Sequence, residues 1–531
     1  MIEPEPARTL GLRTRFSAVA AAIAGLGLAT NARLAFASFP FDRQHDEPLL
    51  VRGALAIAST GDLRPPVPSW GTLPFYGLAL LYRVAHGTAA LLGLERFPLD
   101  PDLDEHYAAA RIVSLLLVAT ATFLAAHVGR RAFGELCGWI SAGLLALAPL
   151  AAELAGQAVV DPWVLAAAVA SLLAALRISA GDTAASSYAL GGACAGLAAA
   201  CKITGGFALV ALLAAHALAR PRPPSSRIAL AIFVCGVAFA LANPHALLEP
   251  QGILDGMAFE REHYSQEYLL LSRTSATSWG TYAKVLTRET LGPGGVLLLL
   301  AGLALGARLE PRRTLVLVSS AALLFLVVGS FRLPMRRQVL AALPAVCVLG
   351  ALPCARVLDA LRGRRSTDAG LGRPALRWAW IGLVALVPTG FRLVQRSAEL
   401  LATRLPDTRT ELLAWLDANV PDGASVLREA DTPRTDALGE RCSVRLVRGV
   451  VFAEARAPAA RADFLVVHAH VRDRIARLSD HFPREAALYD ELFNRCRPLA
   501  TFAASAGAAR GPTFWVFGAL PADLRERFEA P

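Results

Sequence analysis

The sequence predicts an all-α polytopic membrane protein with a small α/β domain at its C-terminal end. Three observations carry this. Hydrophobic residues make up 55% of the 531 residues, more than soluble domains usually hold, and the mean hydropathy is +0.45. Apolar runs that approach or exceed roughly 20 residues, the length of a membrane-crossing helix, recur between Phe16 and Phe391. From about Leu400 onward those runs shorten and charges become frequent. An unpaired backbone in lipid is too costly for most alternatives to helix, so the spans read as helical.

The chain carries a net charge of +10. Its arginines cluster at loop ends and orient the spans. No alternation of basic and aromatic residues marks a nucleic-acid groove.

Phe16–Phe36 follows Arg8, Arg13 and Arg15 and reads as an uncleaved first span starting in the cytoplasm. Residues 39–71 then form an acidic external loop containing Asp42, Asp46, Glu47 and Asp62. Thr72–Leu94, interrupted by Tyr82, Arg83 and His86, reads as an interfacial helix. Ala108–Val128, Cys137–Ala155 and Pro162–Ile178 follow as spans. Tyr188–Ala219 is too long for one straight span and is expected to break at Gly205-Gly206. Ile228–Leu241 goes out, and Asn243–Thr290 is a long external polar segment. Gly294–Ala307, Leu315–Gly329, Val339–Pro353 and Trp378–Phe391 complete about eleven spans, some of them short. This parity leaves the N-terminus in the cytoplasm and the C-terminus outside, and most arginine clusters then face the cytoplasm.

Residues 1–398 are thus expected to form the membrane domain and 399–531 an extracytoplasmic α/β domain. In the latter, Glu411–Asn419 reads as a helix before a Pro-Asp-Gly turn. Ser425–Leu427, Phe464–His468 and Thr513–Phe517 read as buried strands. Six of the eight cysteines lie in or beside apolar segments, while Cys442 and Cys496 are expected to pair as a disulfide.

Charged residues beside spans carry the candidate chemistry. Asp46 and Glu47 diverge by about 100° on a helix, so one can face a reactant while the other orients a neighbour. Capping the helix that begins near Pro48 is the competing reading. Asp161, in VVDPW, is costly near membrane depth and reads either as a site residue or as a cap before Pro162. Lys202, one of two lysines with Lys284, is placed to meet a phosphate leaving group or to snorkel to the interface. Arg332, Arg336 and Arg337 fall outside by the span count, against the charge rule, which suits a lipid phosphate; Arg111 is a weaker case of the same. His45, His245 and His263 are too far apart for a metal-ligand motif, and no Gly-rich phosphate loop or nucleophile elbow is present. No cofactor is expected.

Taken together, HDEPLLVRGALAIASTGDLRPP, ARIVSLLLVATATFL, VVDPW, GLAAACKITGG, ANPHALLEP, FEREHYS, MRRQVLAALP and DTRTELLAWLDANVPDG occur in an order that resembles one family. It is the polytopic C-type glycosyltransferase superfamily, whose members include protein O-mannosyltransferases and aminoarabinose transferases. The resemblance implies a bacterial inner-membrane enzyme that moves a sugar, with inversion, from a polyprenyl-phosphate donor to an acceptor outside the cytoplasm. It implies catalytic roles for Asp46, Glu47 and Asp161 and a donor-phosphate role for Lys202, to which Arg111, Arg332, Arg336 and Arg337, the exceptions to the charge rule, add expected phosphate contacts. His45, His263 and Tyr264 are the expected acceptor or sugar contacts. Related chains often carry Arg-Tyr where this one has Arg337-Gln338. A transporter or a non-enzymatic scaffold for lipid-linked sugars is the rival reading; no internal repeat supports it.

Overall fold

The structure is a computed structural model that describes residues 5–37, 39, 46–67, 69–93, 98–99, 103–265, 277–361, 390–403, 405–433, 435–504 and 509–529. The chain divides into a first unit that ends at Ser397 and a second carried mainly by Ala398–Pro531.

The first unit is helical. Its leading elements are α1 (Glu5–Ala37), α2 (Glu47–Thr60), α3 (Leu73–Leu91), α4 (Asp104–Phe133), α5 (Glu135–Leu147), α6 (Pro149–Ala155) and α7 (Asp161–Ser179). They are followed by α8 (Ala185–Cys201), α9 (Ala208–Leu218), α10 (Ser225–Ala242), α11 (His245–Leu248) and α12 (Pro250–Ser265). Then come α13 (Trp279–Lys284), α14 (Gly295–Leu309), α15 (Pro311–Gly329), α16 (Leu343–Leu361) and α17 over residues 390–402. Short 3-10 turns at Ile203–Phe207 and Arg336–Ala342 precede α9 and α16. Proline opens α2, α3, α6, α7 and α15, where its missing N–H costs no helical bond.

Among the described residues six helices are long and apolar enough to cross a membrane, or seven if the α5–α6 pair, bent by 60°, is one span. Three further apolar segments, Ala185–Cys201, Ile203–Leu218 and Gly295–Leu309, are shorter. The expected last span, Trp378–Phe391, lies outside the described residues except for its final two. The core is built from α4, α5, α7, α8, α9, α15 and α16, with Val118, Leu145, Val169, Tyr188, Leu212, Leu317 and Val348 buried in it. α10 seats its backbone against Gly192 and Gly196 of α8 and exposes Phe233, Val237 and Leu241, the pattern of a lipid-facing helix.

The expected break at Gly205-Gly206 falls earlier. α8 ends at Cys201, and Lys202 is extended at φ −163° and ψ 135°. The cause is tertiary. The backbone of Lys202 forms an antiparallel bridge with Trp70, and the Gly71 N–H donates to the Cys201 carbonyl at 3.3 Å. The segment expected as a polar external stretch, 243–290, contains α11, α12, α13 and a π turn at Val285–Glu289.

The second unit holds a five-stranded sheet. In chain order its elements are α18 (Thr408–Asn419), β1 (Ser425–Glu429), α19 (Asp436–Gly439), β2 (Ser443–Val447), α20 (Ala453–Arg461) and β3 (Phe464–His468). Next are α21 (Ala469–Arg477), α22 (Pro483–Arg495), β4 (Ala500–Phe502), β5 (Phe514–Phe517) and α23 (Ala522–Glu529). The strand order is β2-β1-β3-β5-β4. β1 pairs in parallel with β2 and β3, while β5 is antiparallel to β3 and β4. Side chains alternate across the sheet. Leu427, Leu465, Val467 and Phe517 face α20–α23, whereas Val426, Val466, Phe514 and Val516 face α18.

That alternation overturns the expected disulfide. Cys442 packs in the α18 layer and donates its thiol to the Pro421 carbonyl, while Cys496 packs in the layer on the other face; both are free. A disulfide needs Cα atoms roughly 4.4–6.8 Å apart, which two opposite layers of a sheet do not offer.

Candidate active site

Three acids singled out in the sequence each meet a cation. Asp161 is the first residue of α7 and is 4% exposed. Its Oδ1 accepts a hydrogen bond from Lys202 Nζ at 3.0 Å. Its Oδ2 is buried without a hydrogen-bond partner among the described residues. It does not cap the helix: the N-cap residue is Val160, with no side-chain cap bond. Desolvation of a carboxylate at this depth is offset by the lysine and by the positive end of α7.

Lys202 reaches Asp161 because the chain leaves α8 there to pair with Trp70. Gly71 makes that approach possible, since a Cβ at this position would run into the Ala200 carbonyl. The Lys202 carbonyl then accepts from the Gly205 N–H at 2.7 Å, which starts the following 3-10 turn.

Asp46 sits at the N-terminal boundary of α2, again without a side-chain cap bond. Its Oδ2 accepts from Arg337 Nη1 of the 3-10 turn before α16. Glu47, 0% exposed, holds Arg111 of α4 through both carboxylate oxygens, Oε1–Nε at 2.9 Å and Oε2–Nη2 at 2.8 Å. Glu47 Oε1 also accepts from the Ala158 N–H at 2.7 Å, three residues before Asp161. Arg111 Nη1 donates to the Ala35 carbonyl of α1 at 3.2 Å. Glu47 and Arg111 therefore tie α1, α2, α4 and the lead into α7 to one point.

A cavity of about 600 Å³ opens beside these pairs. Asp161, Lys202, Arg337, Gln338, Tyr264 and Glu260 are on its wall, and Ile203, Phe207, Val327 and Phe331 are among its apolar lining. A smaller cavity of about 10 Å³, near the size of one water, is also lined by Asp161, Lys202, Arg337 and Gln338. Asp46 is absent from both linings and reaches the larger cavity through Arg337.

Several expected contacts lie elsewhere. Arg111 is 2% exposed, and its bonds to Glu47 and Ala35 commit it to the protein interior. Arg336 is exposed between Glu153 at 3.3 Å and Glu289 at 2.7 Å. Arg332 contributes a backbone N–H to the Tyr264 carbonyl at 3.1 Å, with its side chain exposed. His263 stacks on Phe259 at 5.8 Å and is not on the cavity wall; His45 lies outside the described residues. Among the described residues no three His, Cys, Asp or Glu side chains converge to hold a metal ion. The sequence reading missed Glu260, Ser69, Trp70 and Gln338, all on the wall. Two of them lie in the acidic loop and one in FEREHYS, but nothing in residue type set them apart.

Residues 103–247 match the family model described as dolichyl-phosphate-mannose-protein mannosyltransferase. A sequence comparison with curated proteins returns no match. Among solved structures, ArnT from Cupriavidus metallidurans bound to undecaprenyl phosphate is 15% identical, covers 97% of this chain and 99% of its own, and has a TM-score of 0.51. The Archaeoglobus fulgidus oligosaccharyltransferase in its apo form is 12% identical at a TM-score of 0.55, covering 85% of this chain and 70% of its own. The same enzyme tethered to an acceptor peptide is 13% identical at 0.55, covering 94% and 74%. The chain thus shares the fold of these solved structures.

Proposed function

We propose that this protein is an integral-membrane glycosyltransferase that takes a sugar from a polyprenyl-phosphate donor. The observation that carries the reading is the cavity wall on which Lys202 and Arg337 stand beside Asp161, with Asp46 behind Arg337. The match to a mannosyltransferase family model and the likeness to a structure holding undecaprenyl phosphate support it.

Lys202 and Arg337 bind the donor phosphate and stabilise the charge that grows on it as the glycosidic C–O bond breaks. Asp46, uncovered as Arg337 turns to the phosphate, takes the proton of the acceptor hydroxyl or amine as that atom attacks the anomeric carbon. The bonding pair of the broken C–O bond leaves with the polyprenyl phosphate. Attack from the face opposite the leaving group inverts the anomeric centre. Asp161, whose Oδ2 has no partner among the described residues, orients the acceptor or sugar. Glu47 and Arg111 act at one remove, by fixing the start of α2 and hence Asp46. The reaction side is the extracytoplasmic one, with the C-terminal domain on the same side.

The test is to incubate the purified full chain with labelled polyprenyl-phosphate sugars. Release of polyprenyl phosphate, dependent on Asp46 and Lys202, is the expected result. A chain that neither binds polyprenyl phosphate nor consumes any donor would overturn the reading.

A further inference from the structure

Glu260 is the odd acid of the cavity. Asp161 pairs with Lys202 and, behind the wall, Asp46 pairs with Arg337. Among the described residues no cation stands within ion-pair distance of Glu260; its Oε1 accepts from the Ser69 hydroxyl at 3.1 Å. A half-buried carboxylate is an acceptor only, with about four lone-pair directions. The Ser69 hydroxyl fills one of them, and the Tyr264 phenol stands close enough to engage another.

The surroundings say what can fill the others. α12 packs tightly on the Ser69 turn: a Cβ at Gly256, one helical turn before Glu260, would sit 2.8 Å from the Ser69 backbone nitrogen. Ser69 is followed by Trp70, also on the wall, and the backbone of Trp70 is bridged to that of Lys202. Glu260 is therefore fixed to the same short piece of chain that sets the lysine. Tyr264, one turn further along α12, is on the wall too; burial and the neighbouring Glu260 charge push its phenol well above its ordinary range. A carboxylate that accepts from vicinal hydroxyls, beside an indole that covers an apolar ring face, is chemistry for a sugar ring. A glycosyl ring bonded to a phosphate lies within one ring's breadth of it, and here the phosphate-binding cations share the cavity.

We infer that Glu260, held by Ser69 and flanked by Trp70, is a sugar-hydroxyl-binding residue that reads the glycosyl ring of the donor. This rests on the donor reading above and adds to it the residue that selects the sugar. Hydrogen bonds from neutral hydroxyls to a charged acceptor set the expected loss on removal at about 10- to 100-fold in affinity.

The experiment measures binding of two probes to the full chain: bare polyprenyl phosphate, and a panel of polyprenyl-phosphate monosaccharides. Glu260→Gln is expected to bind the bare lipid phosphate at least as well as the unaltered protein, which also reports that it is folded. It is expected to lose about 10- to 100-fold for the preferred glycosyl donor. Glu260→Asp keeps the charge with a shorter reach and should fall between. Equal donor affinity in Glu260→Gln overturns the inference. So does an equal loss for donor and bare lipid. Failure of the unaltered protein to bind polyprenyl phosphate overturns the donor reading itself, and no variant is needed to see it.

Discussion

Glu47 and Arg111 form a bidentate ion pair, at 2.9 and 2.8 Å, that is closed to solvent and lies one residue along the chain from Asp46. Removing one partner leaves the other charge buried and unmatched, which typically costs about 3–5 kcal/mol. Glu47→Ala and Arg111→Ala should each lower the thermal midpoint of the purified full chain. A Glu47→Leu, Arg111→Met double variant should recover part of the loss, because no unpaired charge remains. Single variants melting with the unaltered protein would show that the pair does not hold the helices.

Asp46 and Lys202 should separate by what they lose. Asp46→Asn removes the base and should cut turnover about 10²- to 10⁴-fold, the usual reach of general base catalysis. Its affinity for polyprenyl phosphate should not fall, since Arg337 gains freedom to meet the phosphate. Lys202→Met should instead weaken that affinity by about tenfold or more, the worth of one charge-assisted hydrogen bond. Steady-state kinetics and a lipid-phosphate titration on the same preparations distinguish the two. Near-normal turnover by Asp46→Asn would pass the role of base to Asp161, the acid on the cavity wall.

The sequence made Asp161 and Lys202 visible because a charge in an apolar setting has few explanations, and Asp46 because it lies in an acidic loop directly after an apolar run. Arg111 shows where that reasoning fails. It stands in an apolar helix and reads as a ligand for phosphate, yet its partner is a carboxylate 64 residues earlier, and only the packing of α2 on α4 reveals it. Glu260 is the opposite case: an acid in a polar segment looks ordinary until α12 folds it into the cavity. The long apolar helices were legible from run length. β2 and β4 were not, because they are the two edges of the sheet and bury little, with only Val447 of β2 fully covered.

Gly71 offers a test of the Lys202 geometry that leaves every charged group in place. A Cβ there meets the Ala200 carbonyl, so Gly71→Ala must push the Trp70 segment away from Lys202. Turnover and polyprenyl-phosphate affinity should both drop, while the thermal midpoint falls little because the contact is local. Unchanged affinity would mean that the bridge between Trp70 and Lys202 does not set the lysine.

Glu429 makes the stability of the C-terminal domain depend on pH. It is buried on β1 without a cation among the described residues, and accepts from the Val450 N–H at 3.0 Å, the His468 N–H at 2.8 Å and the Tyr489 hydroxyl. Burial outweighs these three donors and pushes its carboxyl from 4.5 up to about 7. A folded value above the unfolded one means that the folded domain favours the protonated acid. Its contribution is therefore full below about pH 4.5 and is lost as pH rises through about 7, a change of roughly 3 kcal/mol. His468, lowered by burial to about 4, works in the other direction and loses stability as pH falls, so the two must be separated by substitution. Glu429→Gln stays neutral at every pH. Relative to the unaltered protein, its stability should rise between pH 4.5 and 7 and then level off. Hydrogen exchange of the β3 amides, compared between the two proteins at matched pH, reads this directly. A difference that stays flat across that window would mean that Glu429 is ionised in the folded domain throughout.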